Sequence, residues 1–276
     1  MQSAEVIKWP AEAIWEQISP ILSNFTVEVL PEIDSTNTEL MRRAKAGQIE
    51  PILLVAEKQT AGRGRLGREW HDLAPRHEAL PSLTFSLGLP LSPLNWSGLS
   101  LAVGLSIATS LHADIGLKWP NDLWVNDRKL AGILIETCAV VNSVNNQRYV
   151  VIGVGINIAE PKISNSLPAP QLRRPSAWLQ ELLPDINAPA ALLRVAPDLL
   201  KTLLIFVEQG FAPFQTRFHA RDVLRDRQIS VDDNQVNANN KTSGMALGVN
   251  SNGELEIQTA QGKKAINSSE VSISPL

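Results

Sequence analysis

Between residues 62 and 68 the chain runs Gly-Arg-Gly-Arg-Leu-Gly-Arg, and no helix or extended strand is expected to continue through it. Glycines at every second or third place let the backbone come close to a ligand. Three arginines on so short a loop present several planar forks of donors, which suit carboxylates and phosphates. The segment follows Ile-Leu-Leu-Val-Ala at 52–56, a run of the buried-strand type. A basic loop leaving a buried strand stands at a sheet edge, where ligands are commonly received. A short basic run by itself is more often a solvated loop, so the position of this one gives it meaning.

The elements around the loop follow from periodicity. Residues 11–18 have apolar positions at helical spacing, and 25–33 alternate as a strand. Thr36 and Glu39 have capping-box spacing for a helix over 38–46 that Gly47 ends, with Asp34, Ser35, Thr36 and Asn37 at a mouth suited to an anion. Beyond a polar, proline-containing stretch at 71–81, residues 83–89 predict a strand and 99–112 an apolar helix. Strands at 123–125 and 129–136 would be joined by a turn at Asn126-Asp127, and 149–158 supplies another strand, which together imply antiparallel pairing. A helix over 187–209 is expected to kink or split at Pro197. After Asp226 helical patterning gives way to short β-like stretches at 228–231, 243–249, 254–258 and 270–273. The expected fold class is α+β: a mixed, mainly antiparallel sheet flanked by helices over residues 1–222, then a small C-terminal β-barrel over 223–276.

A formal net charge of −3 over 276 residues gives no global field for nucleic acid or an anionic membrane, so any basic function is local. No apolar run approaches the roughly 20 residues that span a bilayer, and the first ten residues lack a signal-peptide layout. Cys138 is the only cysteine, which excludes internal disulfides and a cysteine-rich zinc site, and a cytoplasmic location is expected. The four histidines, at 71, 77, 112 and 219, suggest no nucleophile-and-base pair.

Two further clusters carry potential chemistry. Lys118-Trp119-Pro120-Asn121-Asp122 offers oxygen ligands of the kind Mg²⁺ accepts, although such residues more often cap a turn. Lys129 heads an apolar strand; in isolation it is an ordinary edge lysine, and in a site it is a point charge. Gly153 and Gly155 precede Asn157 within a strand pattern, where glycine marks a bulge, close packing or close backbone approach. No helix opens behind them, so this is not a dinucleotide fingerprint. Trp70, beside the arginine loop, could wall an apolar pocket.

Taken in order, EIDSTN at 32–37, Gln59, AGRGRLGREW at 61–70, KWPND at 118–122, RKLAGILIE at 128–136 and GVGIN at 153–157 resemble the biotin protein ligases. The resemblance covers 32–157 and extends loosely to the tail, where Gly244, Gly248, Gly253 and 269–271 look like the family's SH3-like barrel. It implies a class II synthetase-like catalytic domain that activates biotin with ATP and Mg²⁺ and passes it to a carrier lysine. Ser35, Thr36, Asn37, Gln59, Gly62, Arg63, Gly64, Arg65, Lys129 and Gly132 would bind biotin; Arg65, Arg68, Asn121, Lys129 and Asn157 would bind ATP; Asp122 would hold the metal. Lys129 and Arg65 would be catalytic. The partner implied is the biotin carboxyl carrier protein of acetyl-CoA carboxylase, and the protein itself is expected to be a monomer or homodimer. No membrane association is expected, nor specific DNA binding, because the sequence lacks the helix-turn-helix module of bifunctional family members. The stretch at 71–83 departs from the family's serine-proline-glycine continuation. A lipoate or octanoate ligase or transferase of the same fold is the alternative enzyme. A non-catalytic RNA-binding domain using Arg63, Arg65 and Arg68 is the alternative of another class.

Overall fold

A computed structural model describes residues 7–70, 80–140, 147–160, 176–233, 241–267 and 271–275. In chain order the elements are α1 (Ala11–Ile18), β1 (Thr26–Leu30), α2 (Thr36–Lys45), β2 (Ile52–Ala56), β3 (Ser82–Leu91), α3 (Leu99–Leu111), β4 (Gly116–Lys118) and β5 (Asp122–Val125). They continue with β6 (Arg128–Ala139), β7 (Arg148–Asn157), α4 (Ala188–Gln209), α5 (Gln215–His219), β8 (Gln228–Asp233), β9 (Lys241–Val249), β10 (Leu255–Thr259), β11 (Gly262–Ile266) and β12 (Val271–Pro275). The chain groups into two compact units, Met1–Ser92 with Arg128–Leu200, and Pro93–Asp127 with Lys201–Leu276.

In the first unit the strands run β1-β2-β3-β7-β6, parallel between β1 and β2 and antiparallel elsewhere. The long central strands β3 and β7 are buried along almost their whole length, which accounts for their near-continuous apolar sequences. Helix α2 lies on one face, with Leu40 and Ala44 packed against Leu54, Tyr149 and Val151. Ser35 is its N-cap, accepting a hydrogen bond from the Thr38 amide. Arg43 ties α2 to β1 through Glu28, at 2.6 and 3.0 Å, and that guanidinium holds the Glu28 carboxyl below its usual range.

The second unit contains the largely buried α3, the hairpin β4–β5, and an antiparallel sheet in the order β11-β10-β9-β8-β12. Trp119 is fully buried and donates its indole N–H to Gly253 O at 3.0 Å. Gly253 itself has φ +75°, and a Cβ there would lie 2.6 Å from the Gly98 Cα, so the turn that meets Trp119 requires glycine. Leu117 and Asp222 form a parallel bridge, with Leu117 N–H on Arg221 O at 2.7 Å and Val223 N–H on Leu117 O at 3.0 Å.

Several sequence expectations change. The first helix turn begins at Thr36 rather than Thr38, because Ser35 takes the capping role. The strand predicted over 25–33 narrows to β1, with Ile33 in an isolated bridge to Gln59. Pro197 does not split α4: Leu192, Val195, Ala196, Leu199, Leu200, Leu203 and Phe206 form one buried stripe on both sides of it, and packing outweighs one missing amide. Strands β4 and β11 were not predicted, being short and, in β11, largely exposed. Asn126 and Asp127 have φ of 49° and 58°, the left-handed pair that a two-residue turn demands. The unusual stretch at 71–79 lies outside the described residues, as do Ser269 and Glu270.

Asp222 generates a pH dependence. Burial pushes its carboxyl up to about 6, against the lowering effects of the Leu224 amide and of His219. The native state therefore binds a proton more readily than the unfolded chain, and stability falls as pH rises through that window. Between pH 5 and 7, urea unfolding should show Asp222→Asn gaining about 1 kcal/mol relative to wild type.

Candidate active site

Register on the face beneath α2 builds a cradle. Ser86, Gly153 and Leu134 form one cross-strand row of β3, β7 and β6, and Thr84, Gly155 and Gly132 form the next. A Cβ at Gly153 would collide with the Asn37 carboxamide, and one at Gly155 would lie 2.5 Å from the Trp70 ring. The glycines of the GVGIN run at 153–157 thus make room for α2 and for the far end of the arginine loop.

Under the first turn of α2 lies a buried polar relay. Ser86 Oγ is 2.7 Å from both Thr36 Oγ1 and Asn37 Oδ1, and Thr36 Oγ1 is 3.2 Å from Gln59 Oε1. A hydroxyl has one proton, so with Ser86 donating to Asn37 Oδ1, Thr36 can donate to Ser86 or to Gln59. Gln59 Oε1 also accepts the Thr36 amide at 2.8 Å. Asn37 Nδ2 donates to Leu134 O at 3.2 Å and to Glu136 Oε2 at 3.0 Å. Ser35, Thr36, Asn37 and Ser86 are all at most 3% exposed. Two amides of the helix mouth are already taken, that of Thr36 by Gln59 and that of Thr38 by Ser35.

The arginine loop is more regular than its glycines suggest. Trp70 N–H bonds Gly62 O at 2.9 Å, Gly64 N–H bonds Arg68 O at 2.7 Å, and a 3-10 turn at Arg65–Gly67 closes the tip. Leu66 and Gly67 carry φ of 58° and 69° there. A Cβ at Gly62 would lie 2.5 Å from Trp70 O, so the base of this narrow hairpin needs glycine. The Arg63 guanidinium is bonded to Glu136, with Nη2 to Oε1 at 2.8 Å. The Trp70 indole N–H is buried, with no acceptor among the described residues.

Lys129 is fixed by its backbone. Its carbonyl accepts the Ala177 amide at 2.9 Å and the Asn157 side-chain amide at 3.3 Å, and Asn157 also donates to Ala177 O at 3.2 Å. The adjacent Arg128 bonds Ser176 O at 3.1 Å and pairs with Glu181, whose carboxyl it holds below the usual range. The first unit therefore brings Ser35, Thr36, Asn37, Gln59, Gly62, Arg63, Gly64, Arg65, Arg68, Lys129, Gly132 and Asn157 into one unit, whereas Asn121 and Asp122 belong to the second. Sequence reasoning missed Ser86 and Glu136. The signal available for Ser86 was the period-two recurrence of Ser82, Thr84 and Ser86 in an otherwise apolar strand.

Residues 29–157 match the Biotin/lipoate A/B protein ligase family, and residues 235–274 match the Biotin protein ligase C terminal domain. The chain is 34% identical over 252 residues to the bifunctional ligase/repressor BirA of Escherichia coli, an overlap of 88% of this chain and 72% of that protein. It is 27% identical over 253 residues to the biotin--[acetyl-CoA-carboxylase] ligase of Paracoccus denitrificans, covering 88% of this chain and 98% of that one. The biotin protein ligase of Aquifex aeolicus, solved in complex with biotin and ATP, superposes with a TM-score of 0.70 at 27% identity, over 92% of this chain and all of that one (100%).

Replacing Ser86 with Ala removes the hydroxyl shared by Thr36 and Asn37 and leaves buried polar atoms short of a partner. The expected cost is about 1–3 kcal/mol of unfolding free energy, read from urea denaturation.

Proposed function

The chain belongs to the Biotin/lipoate A/B protein ligase family, and on that premise we propose how its site works. The protein activates biotin with ATP and transfers it to a carrier protein. In the first step an oxygen of the biotin carboxylate bonds to the α-phosphorus of ATP, and the bond to pyrophosphate breaks. In the second, a carrier lysine amine attacks the carbonyl of the resulting mixed anhydride and AMP leaves, a proton being lost from the amine.

The first step brings two anions together, so it needs cations and exact placement rather than a protein nucleophile. The observation that best supports the assignment is the mutually bonded polar relay of Thr36, Asn37, Gln59 and Ser86 beside the glycine row, in which Thr36 and Gln59 would exchange their bond to each other for bonds to a cyclic urea. Ser35 shapes this end as the helix cap. Gly62, Arg63 and Gly64 form the loop wall over bound biotin, and Gly132 lets the ligand approach β6. Lys129 and Arg65 sit between the carboxylate and the α-phosphate as the catalytic cations. Arg68, Asn121 and Asn157 serve ATP; the bond from the Asn157 side-chain amide to the Lys129 carbonyl supports a place beside that lysine. The buried indole N–H of Trp70 is suited to a ligand acceptor under the loop.

Mg²⁺ would enter with ATP, with Asp122 as the residue that would hold it, and it would neutralise phosphate charge. The carrier is the biotin carboxyl carrier protein of acetyl-CoA carboxylase, and the site of action is the cytoplasm, a compartment that a single cysteine fits. The division into a catalytic domain, 1–222, and a C-terminal β-domain, 223–276, follows sequence order, with β8 starting at Gln228 and the C-terminal family match beginning at 235, whereas compactness groups 93–127 with 201–276.

Exchange of labelled pyrophosphate into ATP isolates the first step. It should depend on biotin and Mg²⁺ and fall about a hundredfold or more in Lys129→Ala and Arg65→Ala. Exchange that is indifferent to biotin, or unchanged in both variants, would reject these assignments.

A further inference from the structure

Glu136 has no part in the chemistry above, yet it joins the two halves of the site. It lies on β6 in the row after Leu134, with its side chain 22% exposed. Oε1 accepts Arg63 Nη2 at 2.8 Å, while Oε2 accepts Arg63 Nη1 at 3.3 Å and Asn37 Nδ2 at 3.0 Å. Arg63 Nη1 also reaches Thr38 Oγ1 at 3.3 Å. A forked arginine–carboxylate pair fixes orientation as well as position. An exposed pair alone contributes little, but the same carboxylate serves the amide of Asn37, which is 3% exposed.

We propose that Glu136 is a positioning residue that pins the base of the arginine loop to β6 and, through Asn37, couples the order of the loop to the floor of the pocket. Arg63 then works as the anchor of the loop: its guanidinium holds Glu136, and its contribution to ligand binding is the wall it forms. The inference rests on the reading of this site as a biotin pocket. Its consequence is that loop closure and pocket geometry share one carboxylate, so loosening the pair should release the activated intermediate without abolishing its formation.

The test uses the full chain. Biotinyl-adenylate is formed on the enzyme without carrier, free ATP is removed, and the half-life of the bound intermediate is followed; trypsin cleavage within the loop is measured in parallel on the ligand-free protein. Glu136→Gln and Arg63→Ala should each shorten retention and speed cleavage by about tenfold, the loss of one charge-assisted hydrogen bond. The double variant should be no worse than either single one, and the inverted pair, Arg63→Glu with Glu136→Arg, should recover a large part of both effects. Melting temperatures close to wild type would accompany these changes. Retention and cleavage within twofold of wild type, or single effects that multiply in the double variant, would overturn the proposal. A wild type that forms no adenylate would contradict the ligase reading instead, and the cleavage arm would still judge the Arg63–Glu136 anchor.

Discussion

One hydroxyl, Ser86 Oγ, holds the buried polar end of the site together. It stands 2.7 Å from Thr36 Oγ1 and 2.7 Å from Asn37 Oδ1, on a strand whose side chains are almost all buried. Around it Gln59 accepts the Thr36 amide, and Leu134 O and Glu136 accept the Asn37 side-chain amide. Buried polar groups are costly unless satisfied, and here satisfaction requires one relative placement of α2, β3, β7 and β6. The same placement puts Gly153 beneath Asn37 and Gly155 beneath Trp70. The pocket floor and the seat of the arginine loop are thus consequences of a single strand register.

That register also separates the tasks of the residues in the proposed arrangement. Neutral donors and acceptors sit in the relay, where a polar but uncharged ring can be matched. Cations sit on the loop and at the start of β6, where two anions have to meet. The Lys129 backbone is held by Ala177 and Asn157, so its side chain starts from a fixed base. Catalysis of this kind depends on placement before the reaction, because dipoles and cations already aligned need not reorganise as charge moves.

The motifs were legible because they are local. Ser35, Thr36 and Asn37 adjoin in sequence, the loop declares itself through glycine and arginine, and Lys129 falls within a distinctive run. The strands and helices of the first unit were likewise legible from periodicity, with boundaries displaced by a few residues where a cap decided the matter, as at Ser35. Ser86 and Glu136 were not legible as site residues, because their roles depend on pairing across strands: Ser86 opposite Gly153, and Glu136 two residues beyond Leu134. Arg63 likewise gave no sign in sequence of its partner 73 residues away. The continuity of α4 through Pro197 was hidden for a related reason, since local propensity opposes it and only burial of the flanking stripe maintains it.

In the proposed arrangement the relay beneath α2 recognises a cyclic urea. Calorimetric titration of the full chain with biotin and, separately, with lipoate tests it most directly, because the two acids share a carboxylate tail while lipoate carries a dithiolane in place of the urea. Heat and saturation are expected with biotin, little or none with lipoate, and a loss of biotin affinity of about tenfold or more in folded Gln59→Ala. Equal affinity for the two acids, or biotin binding unaffected in Gln59→Ala, would contradict it.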